Sequence, residues 1–298
     1  MFNNIYKNKK VIVTGNTGFK GSWLSLWLHS LGAVVTGISK DIPSNPSLFE
    51  ELELAKKTEH HFENICDAAK MKEIFSRVQP DFVFHLAAQP IVSVAYEDPL
   101  ETFQTNTIGT ANILEALRFV TNPCYAVIIT SDKCYDNVEW IWGYREQDAL
   151  GGKDPYSASK GAAELVIKTY FHSYFNKAGS SVKLTTVRAG NVIGGGDWAL
   201  NRIVPDCFRS WNNTNPVKIR NPNSTRPWQH VLEPLSGYLR AGQVLAEKDS
   251  SINGEPFNIG PAAEQNHTVL ELLMAVSRFW KSGSMGKKFE INERSDFK

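Results

Sequence analysis

Apolar residues along this chain fall into two alternating rhythms. Continuous runs at Val11-Ile-Val13, Ala33 to Ile38, Phe82 to Leu86, Tyr125 to Thr130 and Lys183 to Arg188 end at glycine or polar breaks and read as buried strands. Between them apolar positions recur at helical spacing. One set is Trp23, Leu24, Trp27, Leu28 and Leu31; another is Met71, Ile74, Phe75 and Val78. A helix from about Pro99 to Phe119 carries Phe103, Ile108, Ile113, Leu114 and Leu117, and a last one runs from Tyr156 through Leu165, Tyr170 and Phe175. Such alternation predicts an α/β fold with a doubly wound parallel sheet. After Ala189 the alternation stops and proline and asparagine rise. We therefore expect one domain over residues 1–190 and a smaller one over 191–298, with 231–262 returning to the first. Within the second part, Glu233 to Ala246 and Thr268 to Trp280 read as helices and Phe257 to Ile259 as a strand. Leu48 to Lys57 reads as a short helix or ordered connection, and Ser282 to Lys298 is polar without a clear final element.

Two stretches carry candidate chemistry. The run ending at Thr130 leads straight into Ser131-Asp132-Lys133, crosses an aromatic loop with Trp140, Trp142 and Tyr144, and ends at Tyr156-Ser-Ala-Ser-Lys160. Open α/β sheets hold their ligands at the carboxyl ends of strands, where these polar residues fall. Tyr156 and Lys160 share one helix face. A tyrosine ordinarily titrates at about 10, and a neighbouring ammonium favours its phenolate. A tyrosine so tuned takes a hydroxyl proton while a hydride leaves the same carbon; the alternative is a surface pair on an ordinary helix.

The other stretch is Thr14-Gly15-Asn-Thr17-Gly18-Phe19-Lys-Gly21, between the first strand and the first helix. In that context Gly15 permits a tight turn, Gly18 close approach of a pyrophosphate and Gly21 close helix–strand packing, with the helix N-terminus facing the phosphates. The spacing is G-x-x-G-x-x-G instead of the commoner G-x-G-x-x-G, and a glycine-rich turn without a ligand is the alternative. Asp41 stands just past the second strand, where an acidic residue accepts ribose hydroxyls. Ser39 and Lys40 before it suit a phosphate instead. Ala87-Ala88-Gln89 after the third strand either let a ligand approach the backbone or simply pack the strand end. Asn106, polar amid an apolar helix, either bonds backbone groups or faces solvent. Arg202, Arg220, Arg226 and His230 lie in the second part, and arginine suits bidentate diphosphate contacts when it is not solvated surface.

Composition adds mainly exclusions. A chain of 298 residues with net charge +1 has no like-charge block pointing to nucleic acid or an acidic membrane. The four cysteines, Cys66, Cys124, Cys134 and Cys207, have no metal-like spacing and suit a reducing cytosol. The N-terminus is polar, without a signal-peptide pattern, and no apolar run approaches spanning length.

Taken jointly, the glycine turn and the Tyr156/Lys160 pair resemble the extended short-chain dehydrogenase/reductase superfamily, with its Rossmann domain. Further stretches resemble the CDP-glucose 4,6-dehydratases within it: Gly18-Phe-Lys-Gly-Ser-Trp23, His85-Leu-Ala-Ala-Gln-Pro90, Thr130-Ser-Asp-Lys-Cys-Tyr135, Trp142-Gly-Tyr-Arg145, Asp154-Pro-Tyr-Ser157, Ala189-Gly-Asn191 through Trp198, and Arg220 through Val231. The resemblance implies NAD as cofactor and CDP-glucose as substrate. Tyr156, helped by Lys160, takes the 4-hydroxyl proton as hydride leaves C4; water is lost across C5 and C6; hydride returns to C6. It further implies that Ser131 binds the reacting oxygen, that Asp132 protonates the departing C6 hydroxyl, and that Lys133 is either the C5 base or an electrostatic stabiliser of the enolate. A glutamate stands at the Lys133 position in the related dTDP-glucose dehydratases.

The same resemblance places Gly15, Thr17, Gly18, Phe19, Gly21, Asp41, Asn64, Ile65, Leu86, Ala87, Ala88, Gln89, Asn106, Thr130, Tyr156 and Lys160 along the cofactor. Gln89, Ser131, Asn191, Arg202, Arg220, Arg226 and His230 fall at the nucleotide sugar. Asn64 departs from the family's usual aspartate, and Cys66 from a common arginine. Relatives continue through further helices, so the substrate domain is expected to be truncated here. A homodimer is expected through helices around Leu114 and Leu165. An epimerase of the same superfamily keeps Tyr156 and Lys160 but needs no acid at C6; a non-catalytic NAD-binding protein is the other alternative.

Overall fold

The computed structural model describes residues 1–219, 221–247, 251–262, 264–280 and 289–291. Seven strands form one parallel sheet: β1 (Lys10–Thr14), β2 (Val34–Ser39), β3 (Glu59–Phe62), β4 (Phe82–His85), β5 (Cys124–Ile129), β6 (Val182–Ala189) and β7 (Pro256–Ile259). Their spatial order is β7-β6-β5-β4-β1-β2-β3, with every neighbouring pair parallel. The chain reverses direction across the sheet between β1 and β4, which opens a crevice at their carboxyl ends.

Successive side chains of a strand point to opposite faces, and here both faces are apolar. Ile12, Val83, Ala126 and Ile128 pack on α2 (Ala68–Val78), α3 (Gly109–Leu117) and α4 (Pro155–Tyr170). Val11, Val13, Phe82, Phe84, Val127 and Ile129 pack on α1 (Phe19–Ser30) and on α6 (Leu232–Leu245), which follows α5 (Ile203–Asn212) in the chain. Burial on both faces explains why the strand runs are continuous and not alternating. β3 was not expected. Its Glu-His-His-Phe sequence is half exposed at the sheet edge and lacks the apolar run that marked the others.

Three corrections concern helices. The expected Pro99 to Phe119 helix is Pro99–Phe103, a π-turn over Gln104–Ile108, then α3. The helix expected to continue to Phe175 passes from α4 into a second π-turn, Phe171–Phe175. Leu48 to Lys57 forms two one-turn helices, Leu48–Glu51 and Leu54–Lys57.

The remaining part is built from short ribbons. Val192–Ile193 pairs with Gln229–His230, Thr225–Arg226 with His267–Thr268, and Val217–Ile219 with Phe289–Ile291. A small separate core of Cys207, Trp211, Val217, Ile219 and Leu273 joins α5 to α7 (Val269–Phe279). Among the described residues, no helix is long and apolar enough to cross a membrane.

Candidate active site

The glycine turn is built as a cradle. Gly15 has φ +73°, and a Cβ there would lie 2.8 Å from the Ala87 nitrogen. A Cβ on Gly21 would lie 2.0 Å from the Gly15 carbonyl oxygen, so α1 could not approach β1 with any larger residue. Thr17 Oγ1 donates to the Asp41 carbonyl at 2.7 Å, and the Thr17 N–H donates to Ser39 Oγ. Ser39 in turn donates to Asn16 Oδ1 at 2.9 Å, while Lys40 reaches Glu101 at 3.3 Å. Ser39 and Lys40 thus also hold the turn and an outer helix, and both stand beside the acidic Asp41 at the crevice.

A cavity of about 190 Å³ opens above this turn. Gly15, Thr17, Gly18, Phe19, Gly21, Asp41, Asn64, Ile65, Leu86, Ala87 and Ala88 all line it, joined by Lys20, Glu63, Thr105 and Arg202. Small residues below, amides at a helix N-terminus and a carboxylate at the rim form the donor and acceptor set that an adenine dinucleotide requires. The residues therefore fit such a cofactor.

Three of the expected cofactor residues are also bonded into the frame. Gln89 turns its side chain to Thr102 and to the Ile91 N–H. Asn106, 1% exposed, bonds the Gln89 backbone in both directions and donates to Ser159 Oγ at 2.9 Å. Ser159 donates to the Tyr156 carbonyl, so Asn106 ties the loop after β4 to the helix carrying the tyrosine. Thr130 directs its hydroxyl to Glu164, within the buried Glu164–Arg188 ion pair (2.9 Å). Sequence reasoning also missed the chain linking Thr14 Oγ1 to His85 Nδ1 (2.7 Å) and His85 Nε2 to Thr110 Oγ1 (3.1 Å). Burial holds His85 near pKa 3, so it is a neutral strut.

Tyr156 is placed by the start of α4. Asp154 accepts from the Tyr156 and Ser157 N–H groups at 3.0 Å each, and Pro155 fixes the first turn, a capped helix start that presents Tyr156 to the crevice. Tyr156 and Lys160 are 8% and 6% exposed on the same helix face. Electrostatics differ from the expected phenolate. Burial raises Tyr156 to about 12, Asp132 adds to the rise, and the Ser131 hydroxyl and Arg202 oppose it. Burial likewise depresses Lys160 to about 8 against the pull of Glu164 and Cys134. In the protein alone, desolvation governs both groups.

Ser131, Asp132 and Lys133 converge on the same point. Ser131 Oγ donates to Asp132 Oδ1 at 2.9 Å. Asp132 Oδ2 lies against Gly190, where a Cβ would come within 3.4 Å. Burial pushes the Asp132 carboxyl above its ordinary value, against the effects of Ser131, Lys133 and Arg226. The Lys133 ammonium stands 5.9 Å from the centre of the Tyr156 ring. A carboxyl driven toward its neutral form, a hydroxyl, an ammonium and a buried phenol can move protons at adjacent carbons of one substrate.

Of the outer residues, Asn191 begins the short ribbon whose partner is Gln229, and its carbonyl accepts from the Gln229 N–H. Arg202 pairs with Asp197 at 3.0 Å and lines the cofactor cavity. Arg226 is part-buried within electrostatic reach of Asp132. His230 is exposed, and its Nδ1 accepts from the Leu232 N–H at the head of α6. Arg220 lies outside the described residues.

This sheet, its glycine cradle and its Tyr156/Lys160 helix define an extended short-chain dehydrogenase/reductase fold of the epimerase/dehydratase type. Residues 12–293 match the model of the GDP-mannose 4,6 dehydratase family, and the chain belongs to that family. It is 50% identical over 280 residues to a CDP-glucose 4,6-dehydratase of Salmonella typhimurium, covering 93% of this chain and 78% of the relative. Among solved structures, an epimerase from Methanothermobacter thermautotrophicus superposes with a TM-score of 0.83 at 24% identity, covering 99% of this chain and 83% of the other. UDP-glucuronic acid 4-epimerase from Bacillus cereus, in complex with UDP-glucuronic acid and NAD, superposes with a TM-score of 0.79 at 21% identity, covering 95% and 86%.

Proposed function

We propose that this protein is a CDP-glucose 4,6-dehydratase, a hydro-lyase that converts CDP-glucose to CDP-4-keto-6-deoxyglucose and water with NAD as a recycled cofactor. The observation that carries a dehydration is Asp132. It is a carboxyl held toward its neutral form by burial, hydrogen-bonded to Ser131 and within electrostatic reach of Tyr156. An epimerase has no use for an acid at C6. The cytidine nucleotide is supported by the Salmonella relative.

NAD, when bound, would supply the hydride acceptor for C4 and the hydride donor for C6. Gly15, Thr17, Gly18, Phe19, Gly21, Asp41, Asn64, Ile65 and Ala87 are the residues we assign to hold it. Tyr156 accepts the 4-hydroxyl proton, with Lys160, Lys133 and Arg202 supplying positive charge to the phenolate. Ser131 holds the reacting oxygen. The resulting ketone acidifies C5, whose proton is taken by Lys133 or whose enolate Lys133 stabilises. Asp132 gives its proton to the C6 oxygen, which leaves as water. Asn191, Arg202, Arg220 and Arg226 hold the nucleotide diphosphate by charge-assisted bonds. Gln89, Asn106 and Thr130 keep the site in register from behind, and we place His230 at the substrate rim.

We place the protein in the cytosol as a homodimer. Leu100, Ile108 and Leu165 expose apolar surface on adjoining helices, which suits pairing with a second copy. Incubating the protein with NAD and each of CDP-, dTDP-, GDP- and UDP-hexose, then weighing the products, tests the activity. Loss of one water from CDP-glucose alone is the expected result; unchanged mass with an altered sugar configuration would favour epimerisation.

A further inference from the structure

One buried ion pair is bonded to both ends of the segment that carries Ser131, Asp132 and Lys133. Arg188, on β6, donates from Nε to Glu164 Oε1 and from Nη2 to Glu164 Oε2, at 2.9 Å each. Before the segment, Thr130 donates its hydroxyl to Glu164 Oε1. After it, the buried Tyr135 hydroxyl accepts from Arg188 Nη1 at 2.7 Å and donates to Asn258 Oδ1 on β7 at 2.7 Å. The guanidinium carbon stands 4.9 Å from the centre of the Tyr135 ring, and that ring stacks on Tyr144 at 5.1 Å.

Between these anchors the chain makes one tight turn. Asp132–Cys134 is a single turn of 3₁₀ helix, in which Ser131 Oγ accepts from the Lys133 N–H at 3.3 Å and the Ser131 carbonyl from the Cys134 N–H at 3.1 Å. So short a helix has few bonds of its own to fix it. α4 backs it closely, since a Cβ on Gly161 would lie 3.2 Å from the Cys134 carbonyl oxygen. The backbone at the far end pairs with Leu150 and Gly151, which belong to the returning loop. The Tyr135 hydroxyl ties that end to the sheet itself, through Arg188 and Asn258. An ion pair buried this deeply adds little stability over apolar residues of the same volume; what it can add is a fixed register for the groups bonded to it.

The two halves of the proposed reaction draw on different elements. Hydride removal from C4 uses Tyr156 and Lys160, which α4 positions through Asp154 and the Asn106–Ser159 bond. In the elimination, the C5–H electron pair forms the C5–C6 double bond as the C6–O bond breaks. The C5 proton goes to the base, and the Asp132 proton leaves with the oxygen as water. That step uses Asp132 and Lys133, on the turn that ends at Tyr135. We propose that Tyr135 is a positioning residue for the elimination, its hydroxyl holding the turn of Asp132 and Lys133 against the Arg188–Glu164 pair. The assignment rests on the dehydratase reading.

Tyr135→Phe tests it, because it removes the hydroxyl and keeps the ring. Arg188 retains Glu164 and the Glu146 carbonyl, and Asn258 is exposed to water, so the melting temperature should change little. The expected kcat is roughly 10-fold lower, with KM for CDP-glucose within about twofold, since a misplaced acid slows a step without weakening binding. Oxidation at C4 then outruns elimination, and reduced nicotinamide should build up in the steady state, read by its near-ultraviolet absorbance. A merely structural tyrosine would lower the melting temperature and leave the balance between the two steps unmoved. Amide hydrogen exchange needs neither substrate nor cofactor. Exchange at Lys133 and Cys134 should quicken roughly 10-fold in Tyr135→Phe, while the amides of Lys160 to Ala163 on α4 keep the parent's rate. No build-up of reduced nicotinamide, or unchanged exchange at Lys133 and Cys134, overturns the proposal. If the parent dehydrates no nucleotide hexose, the dehydratase reading fails instead, and exchange at the turn still decides whether Tyr135 holds it.

Discussion

The crevice over the parallel sheet and the ribbons that face it are built on different physical terms. Tyr156, Lys160 and Ser131 stand on elements whose backs are locked in core: α4 is capped by Asp154 and braced through Ser159 and Asn106, and β5 is buried on both faces. Arg226 and His230 stand on two-residue strands, part-buried or exposed, beside a small core of their own. The difference separates two tasks. Proton transfer needs groups whose charge states are set by burial and whose positions hold to a fraction of an ångström. Gripping a diphosphate needs strong, long-reaching charges that can adjust to the ligand. The rigid half should therefore govern kcat and stability, and the ribbon half KM.

Mutations can break that division. Tyr156→Phe removes the proton acceptor and is expected to lower kcat by about 10³-fold or more, with dinucleotide binding and melting temperature near the parent's. A comparable loss in KM alone would contradict the assignment. Next in size is Arg188→Leu, which strands Glu164 in a site where both partners are under 5% exposed. Breaking such a pair costs about 3–5 kcal/mol, to be read by urea unfolding. Arg188 also donates to Tyr135 and to the Glu146 carbonyl, so the aromatic loop should loosen with it. Arg226→Ala should raise KM for the sugar nucleotide roughly 10-fold, the cost of one charge-assisted bond, and leave kcat within about twofold. If kcat falls as far as KM rises, the ribbon does more than hold.

The smallest effect is on pH. Lys160 titrates at about 8 in the folded chain, below its ordinary 10.5, so between those values the unfolded state binds more protons. Stability should accordingly rise with pH from about 8 toward 10, and Lys160→Met should flatten that rise. Above pH 10 the raised Tyr156 acts in the opposite sense, since the unfolded phenol ionises first.

How far the chain could be read in advance follows the same division. Six of the seven sheet strands were legible, five because burial on both faces demands unbroken apolar runs and β7 as the short Phe257–Ile259 segment. β3 was not, because an edge strand half in water can be written with glutamate and histidine. Periodicity marked both long helices but not their π-turns, which add a residue without disturbing the apolar stripe enough to show. The glycine cradle was legible because each glycine answers a steric demand. Gln89, Asn106 and Thr130, expected at the cofactor, also bond the frame, which the sequence did not show because it gives a residue's place on the chain and not the direction of its side chain.

In the proposed reaction the hydride taken from C4 returns to C6 while water is lost across C5 and C6. CDP-glucose deuterated at C4 follows that hydride. After incubation with the protein and unlabelled NAD, the expected product is lighter by one water and carries the deuterium at C6. Deuterium kept at C4 with no loss of mass, or a dehydrated product with deuterium washed into solvent, would contradict it.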